Sequence, residues 1–185
     1  MRAIFLDRDG VIIRKAPEGE YVTEWREVEF LPGSLQAIFA LHRRGFAVIV
    51  VTNQRGLATG KLQQEKVDEI HARLRETVAQ SGGHISGIYC CPHDAWEACP
   101  CRKPKPGMLL QAAAKHRLHL PACWMVGDSA SDIAAGKSTG CKTALISSSQ
   151  SFEPWAEQAD ICAESLALAA ECILSLEREI SRTGK

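Results

Sequence analysis

Two acidic segments carry carboxylates at a spacing that suits a metal-dependent reaction of phosphate esters. Asp7 and Asp9 stand two residues apart in DRDG, and Asp128 and Asp132 stand four apart in GDSASD. Carboxylates that share one crevice resist joint ionisation, and a bound hard cation removes this conflict. Magnesium fits best, because a few carboxylates hold it while other positions stay open to water and a phosphate oxygen. We therefore predict a magnesium site at Asp7, Asp9 and Asp128.

A phosphoryl group beside such a cation also needs hydrogen-bond donors, and two polar segments offer them. The first comprises Thr52, Asn53, Gln54 and Arg55, and the second comprises Arg102 and Lys103. The Thr52 hydroxyl, the Asn53 backbone amide and the Lys103 ammonium are the predicted donors. Taken singly, each motif has a simpler interpretation as a turn, a loop, a helix cap or a solvated surface.

A third chemical feature is the segment CCPHDAWEACPC at residues 90–101, which contains four of the eight cysteines and His93. In a reducing compartment, such a cluster favours metal binding or buried thiols over disulfides. Its spacing differs from the usual C-x₂₋₄-C of zinc fingers, so a metal site and a disulfide both stay open on this pattern alone. The remaining thiols are expected in or near the core: Cys123, Cys141, Cys162 and Cys172.

The elements that must position these residues alternate between apolar strands and amphipathic helices. Strands are predicted at residues 3–6, 46–51, 87–90, 123–126 and 141–146. Helices are predicted at residues 33–44, 63–80, 106–118, 130–139 and 164–181, with Phe39 and Leu176 among their inward-facing positions. This alternation implies βαβ units and a parallel sheet covered on both faces. We expect one α/β domain over residues 1–185, a three-layer α/β/α sandwich with a mainly parallel sheet and no cap domain.

The predicted sheet brings the polar segments together. The segments that begin at Asp7, Thr52 and Asp128 each follow a predicted strand, and Arg102 with Lys103 precedes a predicted helix. Ligands of open parallel sheets bind beyond the carboxyl ends of the strands. Independent accidents explain this convergence poorly, so a binding site for a phosphate ester is favoured over the simpler interpretations.

The composition argues against several classes of partner. The chain has 22 basic and 22 acidic residues, whereas a nucleic-acid-binding domain normally has a basic excess. The N-terminus MRAIFLDRDG does not resemble a signal peptide, and the apolar run FAVIVV is far shorter than the ~20 residues of a membrane span. We expect a cytoplasmic monomer with no nucleic-acid or membrane partner.

The motifs resemble those of the haloacid dehalogenase-like (HAD) phosphatase superfamily. DRDGVI at residues 7–12 resembles its first motif, VTNQ at 51–54 its second, Lys103 its third, and VGD at 126–128 with Asp132 its fourth. TNQRGLATGK and IYCCPHDAWEACPCRKPKPGM resemble a subgroup of heptose 1,7-bisphosphate 7-phosphatases and histidinol-phosphate phosphatases. Two positions depart from that pattern, because Ile13 stands where many members have Asn and Ser129 where many have Lys.

The resemblance implies a magnesium-dependent phosphatase that acts on a sugar bisphosphate in heptose biosynthesis for surface polysaccharide. Asp7 would be the nucleophile that becomes an aspartyl-phosphate, and Asp9 would act as general acid and then as general base. Asp7, the Asp9 main-chain carbonyl and Asp128 would hold magnesium, with Asp132 behind them. Thr52 and Lys103 would then stabilise the transferring phosphoryl group.

The same resemblance identifies a structural zinc site whose ligands are Cys91, His93, Cys99 and Cys101. It leaves Cys90 at the strand end as a buried thiol. Zinc would hold a loop with little to bury, and would fix the two cations that follow Cys101. Trp96 is expected to pack within this loop. The other histidines are expected to be solvated and without partners: His42, His71, His84, His116 and His119.

Short loops must then select the substrate, a small sugar bisphosphate. The loop at residues 14–21, with Lys15 and Tyr21, is predicted to contact the sugar, together with Gln54. Arg55 and Arg102 are predicted to hold a second, non-reacting phosphate. Three alternatives stay open: a histidinol-phosphate phosphatase, another small-metabolite phosphatase, and a zinc-stabilised binding module without catalysis.

Overall fold

A computed structural model describes residues 1–147 and 156–183, and a sheet of six parallel strands lies at its centre. The strands are β1 (Ala3–Leu6), β2 (Ala47–Asn53), β3 (Ile85–Cys91), β4 (Trp124–Gly127), β5 (Lys142–Ile146) and β6 (Ile161–Ala163). Their order in the sheet is β3-β2-β1-β4-β5-β6. The chain runs outward from β1 to β3 and then crosses to the other side of β1 for β4. The loops after β1 and β4 therefore diverge and open a crevice at the carboxyl edge.

Five helices cover the two faces of the sheet. They are α1 (Ser34–Arg43), α2 (Gln64–Gln80), α3 (Gly107–His116), α4 (Ala130–Ser138) and α5 (Leu166–Thr183). Buried residues of α1, α2 and α5 share one apolar cluster with one face, whereas those of α3 and α4 pack on the other. The predicted three-layer α/β/α sandwich with a parallel sheet is confirmed.

The continuous apolar runs of the sequence follow from this covering. Successive side chains of a strand point to opposite faces, so a strand covered on both sides must be apolar at every position. In β1, Ile4 and Leu6 belong to the first cluster and Phe5 belongs to the second, and all three are fully buried. The first strand thus ends in the core, and Asp7 is the first polar residue at its carboxyl end.

The surface was predicted incorrectly at four positions. Phe39 and Leu176 are each 40% exposed, not inward-facing. On α5 the position four residues after buried Ile173 is Glu177, whose carboxylate accepts a hydrogen bond from Trp124 Nε1. That polar contact continues the inner face of α5 and leaves Leu176 outside. Cys162 and Cys172 are also exposed, whereas two other thiols are buried as predicted: Cys123 and Cys141.

The other differences between prediction and structure concern a short edge strand and the connections between elements. Strand β6 was not predicted, because three residues at the sheet edge are too short to show an apolar pattern. Within the described ranges, the long connection at residues 7–33 contains isolated β-bridges and a 3₁₀ turn, Trp25–Glu27, with no separately folded unit. The described residues include no helix with the length and apolar character that crossing a membrane requires.

Candidate active site and metal centre

Three carboxylates meet at the carboxyl edge of the sheet. Asp7 follows β1, Asp128 follows β4, and Asp132 lies in the first turn of α4, with ligand oxygens all within 4.8 Å of one another. Gly10 makes this approach possible, because its φ of 86° lies in the left-handed region and a Cβ would come 2.7 Å from Asp128 Cγ. Oxygen donors of this kind suit a magnesium ion, so the residues present fit the metal that the sequence predicts.

A buried lysine lies beneath these carboxylates. Lys103 Nζ is 2.6 Å from Asp132 Oδ1 and 3.0 Å from Asp7 Oδ1, and it also donates to the Val51 carbonyl at 2.8 Å. Burial opposes its charge, but Asp132 and Asp7 hold the pKa of Lys103 above its ordinary value. The lysine is therefore a permanent cation at the base of the crevice.

One lysine does not neutralise three acidic groups. Desolvation raises the pKa of Asp7 to about 7, with Lys103 opposing the shift and Asp132, Asp9 and Asp128 adding to it. The ion pair does not offset burial, because Lys103 is shared with the closer Asp132 carboxylate. Desolvation also raises the pKa of Asp128. The crevice thus has an excess of buried negative charge that a divalent cation would relieve.

Asp132 has two roles in the structure. Its Oδ2 accepts hydrogen bonds from the Ser129 backbone amide at 3.2 Å and from the Ser129 hydroxyl at 2.6 Å, while Oδ1 faces Lys103. The segment GDSASD therefore does cap the helix that follows it. The same residue also anchors the buried cation, which a simple cap would not do.

The last two residues of β2 and the residue that follows it hold the site from the side. Asn53 Nδ2 donates to the Lys103 carbonyl and Lys103 N donates to Asn53 Oδ1, both at 3.1 Å. Thr52 is buried, and its Oγ1 accepts a hydrogen bond from Gln54 Nε2 at 2.8 Å. Thr52 lies outside the cleft lining, whereas Asn53 and Gln54 line it.

Asp9 points to a different set of partners from Asp7. Its carboxylate accepts hydrogen bonds from Arg8 Nε at 3.1 Å, from Arg8 Nη2 at 3.1 Å and from Gln54 Nε2 at 2.9 Å. The Asp9 carboxylate is therefore not part of the group formed by Asp7, Asp128 and Asp132. Arg8, only 1% exposed, was missed by sequence reasoning, because arginine is normally a surface residue.

The predicted substrate-binding residues line one cleft of about 810 Å³. Lys15, Tyr21, Arg55 and Arg102 contribute to its walls, with the segment at residues 15–22 forming one side. Lys15 Nζ lies 2.9 Å from Asp128 Oδ2. Many family members have a lysine at the position of Ser129, beside Asp128. In this chain the cation that contacts Asp128 comes instead from Lys15 in the loop.

The cysteine-rich loop gathers four soft donors around one centre. The sulfur atoms of Cys91, Cys99 and Cys101 lie 3.3 to 3.7 Å apart, and His93 Nδ1 lies 3.6 Å from Cys91 Sγ and 3.3 Å from Cys101 Sγ. A tetrahedral zinc with bonds of about 2.3 Å would place its sulfur ligands roughly 3.8 Å apart. These separations far exceed the ~2 Å of a disulfide bond. The donor set therefore fits zinc.

The thiols of this loop differ in their protonation, because desolvation raises the pKa of Cys91 and Cys101 whereas that of Cys99 is lowered. Desolvation opposes ionisation of Cys99, but hydrogen bonds from the Arg102 backbone amide and from the thiols of Cys101 and Cys91 lower its pKa to about 7. Thiolates are the metal-binding form of cysteine. Cys90 is different, because it is half-buried on β3, outside the donor group, and desolvation raises its pKa to about 11.

The same loop also fixes two arginines at the cleft wall. Arg102 Nη1 donates to the His93 carbonyl at 3.2 Å, and Arg55 Nε lies 2.8 Å from Asp94 Oδ1. Asp94 is buried and accepts a hydrogen bond from the Ala95 backbone amide. His93, a predicted zinc ligand, and its neighbour Asp94 thus position both predicted phosphate-binding arginines.

Five side chains differ from the sequence prediction, and two of them, His42 and His84, pack against each other with 5.6 Å between ring centroids. Trp96 is 81% exposed and does not pack within the loop, since the 3₁₀ turn Ala95–Glu97 turns it outward. His71 is half-buried and contacts Arg8 Nη1 at 3.2 Å, so it is neither fully solvated nor without a partner. His116 packs edge-on against Tyr89 with 6.3 Å between ring centroids. For His71 a signal did exist, because it stands four residues after Val67 and three before Leu74 on the buried face of α2.

Comparisons with known proteins agree with this geometry. The HAD-hydrolase-like family model matches residues 100–169. A D-glycero-β-D-manno-heptose-1,7-bisphosphate 7-phosphatase from Pseudomonas putida is 41% identical over 146 residues, which cover 79% of this chain and 82% of that protein. A D-glycero-α-D-manno-heptose-1,7-bisphosphate 7-phosphatase from Mycobacterium tuberculosis is 41% identical over 131 residues, or 70% of this chain and 68% of that protein.

A solved structure is similar along almost the whole chain. It is the D,D-heptose 1,7-bisphosphate phosphatase from Bordetella bronchiseptica in complex with magnesium and phosphate, with 36% identity and a TM-score of 0.85. The match covers 95% of this chain and 99% of that chain.

Proposed function

The chain belongs to the family of D-glycero-D-manno-heptose-1,7-bisphosphate 7-phosphatases within the HAD-like hydrolases, and on that premise we propose that it removes the 7-phosphate of a D-glycero-D-manno-heptose 1,7-bisphosphate. The observation that carries the proposal is the buried Lys103 cation between Asp7 and Asp132, beside the open cleft. A binding module needs no carboxylate nucleophile in contact with a buried lysine. The reaction is hydrolysis of a phosphoric monoester.

Asp7 is the proposed nucleophile. Its Oδ1 accepts hydrogen bonds from the Arg8 backbone amide at 2.7 Å and from Lys103 at 3.0 Å. Within residues 1–147 and 156–183, no donor contacts Oδ2, so that oxygen is free to attack phosphorus. The attack forms an Asp7–phosphorus bond and breaks the bond between phosphorus and the sugar oxygen, which takes a proton from Asp9.

The second half-reaction regenerates the carboxylate. Asp9, now ionised, takes a proton from a water molecule whose oxygen attacks phosphorus, and the Asp7–phosphate bond breaks to release inorganic phosphate. Lys103 stabilises negative charge on the phosphoryl oxygens throughout. Thr52 lies behind the cleft lining, where its Oγ1 accepts a hydrogen bond from Gln54, and the proposal has its hydroxyl proton point towards the same oxygens once substrate is bound.

Two metals complete the proposed enzyme. Asp7, Asp128 and the Asp9 main-chain carbonyl would hold magnesium, which would neutralise negative charge on the phosphoryl group when bound. Asp132 supports this set from behind through Lys103. The Cys91, His93, Cys99 and Cys101 donors would hold zinc, and with four protein ligands that zinc would be structural.

The second phosphate of the substrate is proposed to bind Arg55 and Arg102. Both side chains line the cleft, and both are held through the zinc loop, at Asp94 and at the His93 carbonyl. Arginine forms two-pronged contacts with phosphate, and prior fixation reduces the entropy lost on binding. Tyr21 and Lys15, which line the same cleft, are proposed to contact the sugar.

The decisive experiment measures phosphate release with magnesium from the α and β anomers of the heptose bisphosphate and from histidinol phosphate, side by side. We expect kcat/KM for one bisphosphate anomer to exceed that for histidinol phosphate by at least about 100-fold, or ~2.7 kcal/mol. Phosphorus NMR of the product should show the 1-phosphate retained. The reverse ranking, or loss of the 1-phosphate, would overturn the proposal.

An Asp7→Asn variant tests the chemistry in the same assay. It keeps the shape of the side chain but cannot form an aspartyl-phosphate, so turnover should fall by at least ~10³-fold with the fold intact by circular dichroism. Appreciable residual activity would remove Asp7 as the nucleophile. We further propose a monomeric, single-domain, cytoplasmic enzyme without a nucleic-acid partner, which size-exclusion chromatography with light scattering and cell fractionation would test.

A further inference from the structure

Arg8 is an unusually buried cation with three separate contacts. Its guanidinium is 1% exposed, and it donates to the Asp9 carboxylate through Nε and Nη2 at 3.1 Å. The third nitrogen, Nη1, lies 3.2 Å from His71 Nε2 on α2. Arg8 therefore connects the proposed acid–base residue to a helix that covers the sheet.

The chemistry of this contact fixes the form of His71. An arginine guanidinium has only donors, so the histidine nitrogen that faces it must accept. His71 is then neutral, with its proton on Nδ1. The charged groups around it agree, because burial and Arg8 lower the pKa of His71 to about 4, while Asp68 and Asp9 oppose the shift and Arg75 adds to it.

We propose that His71 is a positioning residue for Asp9, acting through the guanidinium of Arg8; the inference rests on the proposed function, in which Asp9 is the acid–base group. His71 satisfies the Nη1 donor and so holds the plane of the guanidinium. The plane of the guanidinium in turn sets the direction of the two hydrogen bonds to Asp9. Gln54 holds the same carboxylate from the cleft side, with Nε2 2.9 Å from Asp9 Oδ2.

Loss of the acceptor at position 71 would leave a buried donor unpaired. An unsatisfied buried donor is costly, and a charged one more so, which drives the guanidinium to rotate towards another acceptor. Rotation would carry the Asp9 carboxylate away from the position where it takes a proton from water. All the contacts of Asp9 described above are donated to it, which is the pattern that an ionised carboxylate accepts. Hydrolysis of the aspartyl-phosphate needs Asp9 as base with every substrate, whereas its formation needs Asp9 as acid only where the leaving group is poor. With an activated aryl phosphate, hydrolysis should therefore be affected more than formation.

A matched pair of variants separates positioning from packing. His71→Gln offers an amide oxygen close to the position of Nε2, whereas His71→Leu fills similar volume without an acceptor. With the heptose bisphosphate we expect kcat to fall about 10- to 100-fold in His71→Leu, with KM changed less than about threefold, and to stay within about threefold of wild type in His71→Gln.

The affected step can be read directly with 4-nitrophenyl phosphate. Its leaving group needs little protonation, so formation of the aspartyl-phosphate proceeds without much help from Asp9. In His71→Leu, rapid mixing should show a burst of about one nitrophenolate per enzyme followed by a slow steady state. Equal activity of Leu and Gln variants, or a loss in both without a burst, would refute the proposal.

The proposal stays testable if His71→Leu fails to fold. The side chain of His71→Asn carries an acceptor but is too short to reach Arg8. This variant can therefore take the place of His71→Leu in the comparison with His71→Gln. Nitrogen-15 NMR of the wild-type imidazole gives a readout independent of activity, with the Nδ1–H tautomer expected and the Nε2–H tautomer contradicting the contact. If the wild type hydrolyses 4-nitrophenyl phosphate but not the heptose bisphosphate, the proposed substrate is wrong. The role of His71 is then still tested by comparing these variants with 4-nitrophenyl phosphate.

Discussion

The side-chain amide of Asn53 pairs with the backbone of Lys103 through two hydrogen bonds of 3.1 Å, one donated in each direction. The two residues are 50 positions apart, and the pair joins the end of β2 to the segment that leaves the zinc loop. The backbone of Lys103 is fixed by this pair and its ammonium by the Val51 carbonyl. A flexible side chain thus becomes a cation of defined position, which is what stabilisation of a transferring phosphoryl group requires.

Lys103→Met should destabilise the metal-free protein strongly. The change leaves Asp7 and Asp132 buried without their counter-charge, and breaking one side of a buried ion pair costs roughly 3–5 kcal/mol. Urea denaturation measures the loss. Lys66→Met, which removes the exposed pair with Glu69, is the control and should cost less than about 1 kcal/mol. Similar losses in both variants would contradict the arrangement.

Magnesium affinity should rise with pH between 6 and 8. Desolvation raises the pKa of Asp7 to about 7, and the metal needs the carboxylate, so a proton must leave as magnesium binds. For one such proton, affinity at pH 8 should exceed that at pH 6 roughly tenfold. Isothermal titration calorimetry in two buffers of different ionisation enthalpy would count the released proton. An affinity independent of pH over this range would show that Asp7 is already ionised without metal.

Gly10→Ala should weaken magnesium binding beyond its effect on stability. The left-handed φ of 86° costs about 1–2 kcal/mol for alanine, and the new Cβ would also overlap the Asp128 carboxylate. Gly45→Ala is the matched control, because its φ is 80° and a Cβ there meets nothing within 4 Å. Gly10→Ala should lose at least as much stability as Gly45→Ala by thermal unfolding, but only Gly10→Ala should lose magnesium affinity by calorimetry. Equal affinities in the two would refute the close approach.

Cys99→Ser should release zinc and loosen the arginine pair. A structural zinc site contributes ~10–16 kcal/mol in small peptides, and removal of one thiolate ligand sacrifices a large part of that. Elemental analysis should give one zinc per wild-type chain and clearly less in the variant, with a lower Tm. Cys90→Ser, outside the donor group, should retain zinc. Loss of zinc from Cys90→Ser with retention in Cys99→Ser would reassign the ligands.

Arg102→Ala should discriminate between two substrates. The side chain is proposed to bind the non-reacting phosphate, so KM for the heptose bisphosphate should rise at least about tenfold, while KM for 4-nitrophenyl phosphate changes less than about threefold. Arg26→Ala, which removes an exposed arginine outside the cleft lining, serves as control. Equal losses on both substrates would place Arg102 at the reacting phosphate.

Much of the site was accessible from the sequence because its residues follow strands directly. Asp7, Thr52 and Asp128 each follow an apolar run, and parallel strands bring their carboxyl ends to one edge. The donor set of the loop at residues 91–101 was predicted from the family resemblance, because its spacing alone left a disulfide open. These are properties of short segments, which is why the order of residues reveals them.

Contacts between distant segments were not accessible in this way. Arg8 is buried against Asp9 and His71, although arginine is ordinarily solvated and a histidine on a helix has many possible environments. The pairing of Asn53 with the Lys103 backbone depends on how a side chain is turned across the sheet edge. Such contacts depend on three-dimensional packing, and residue type and period give no direct signal of them.

The hydrolytic residues and the cleft wall lie in different segments of the chain, and this separation has an evolutionary consequence. Lys103 is bound to Asp7, Asp132 and Asn53 at the strand ends. The segment at residues 15–22, by contrast, lines the cleft and is held by isolated contacts, such as Lys15 with Asp128 and the Gly19 carbonyl with Lys61. Mutational drift in that wall can retune which sugar is accepted while the hydrolytic apparatus is inherited intact. Diversification of substrate within such a lineage would therefore be recorded in one short stretch of about eight codons, and that is where paralogues should first diverge.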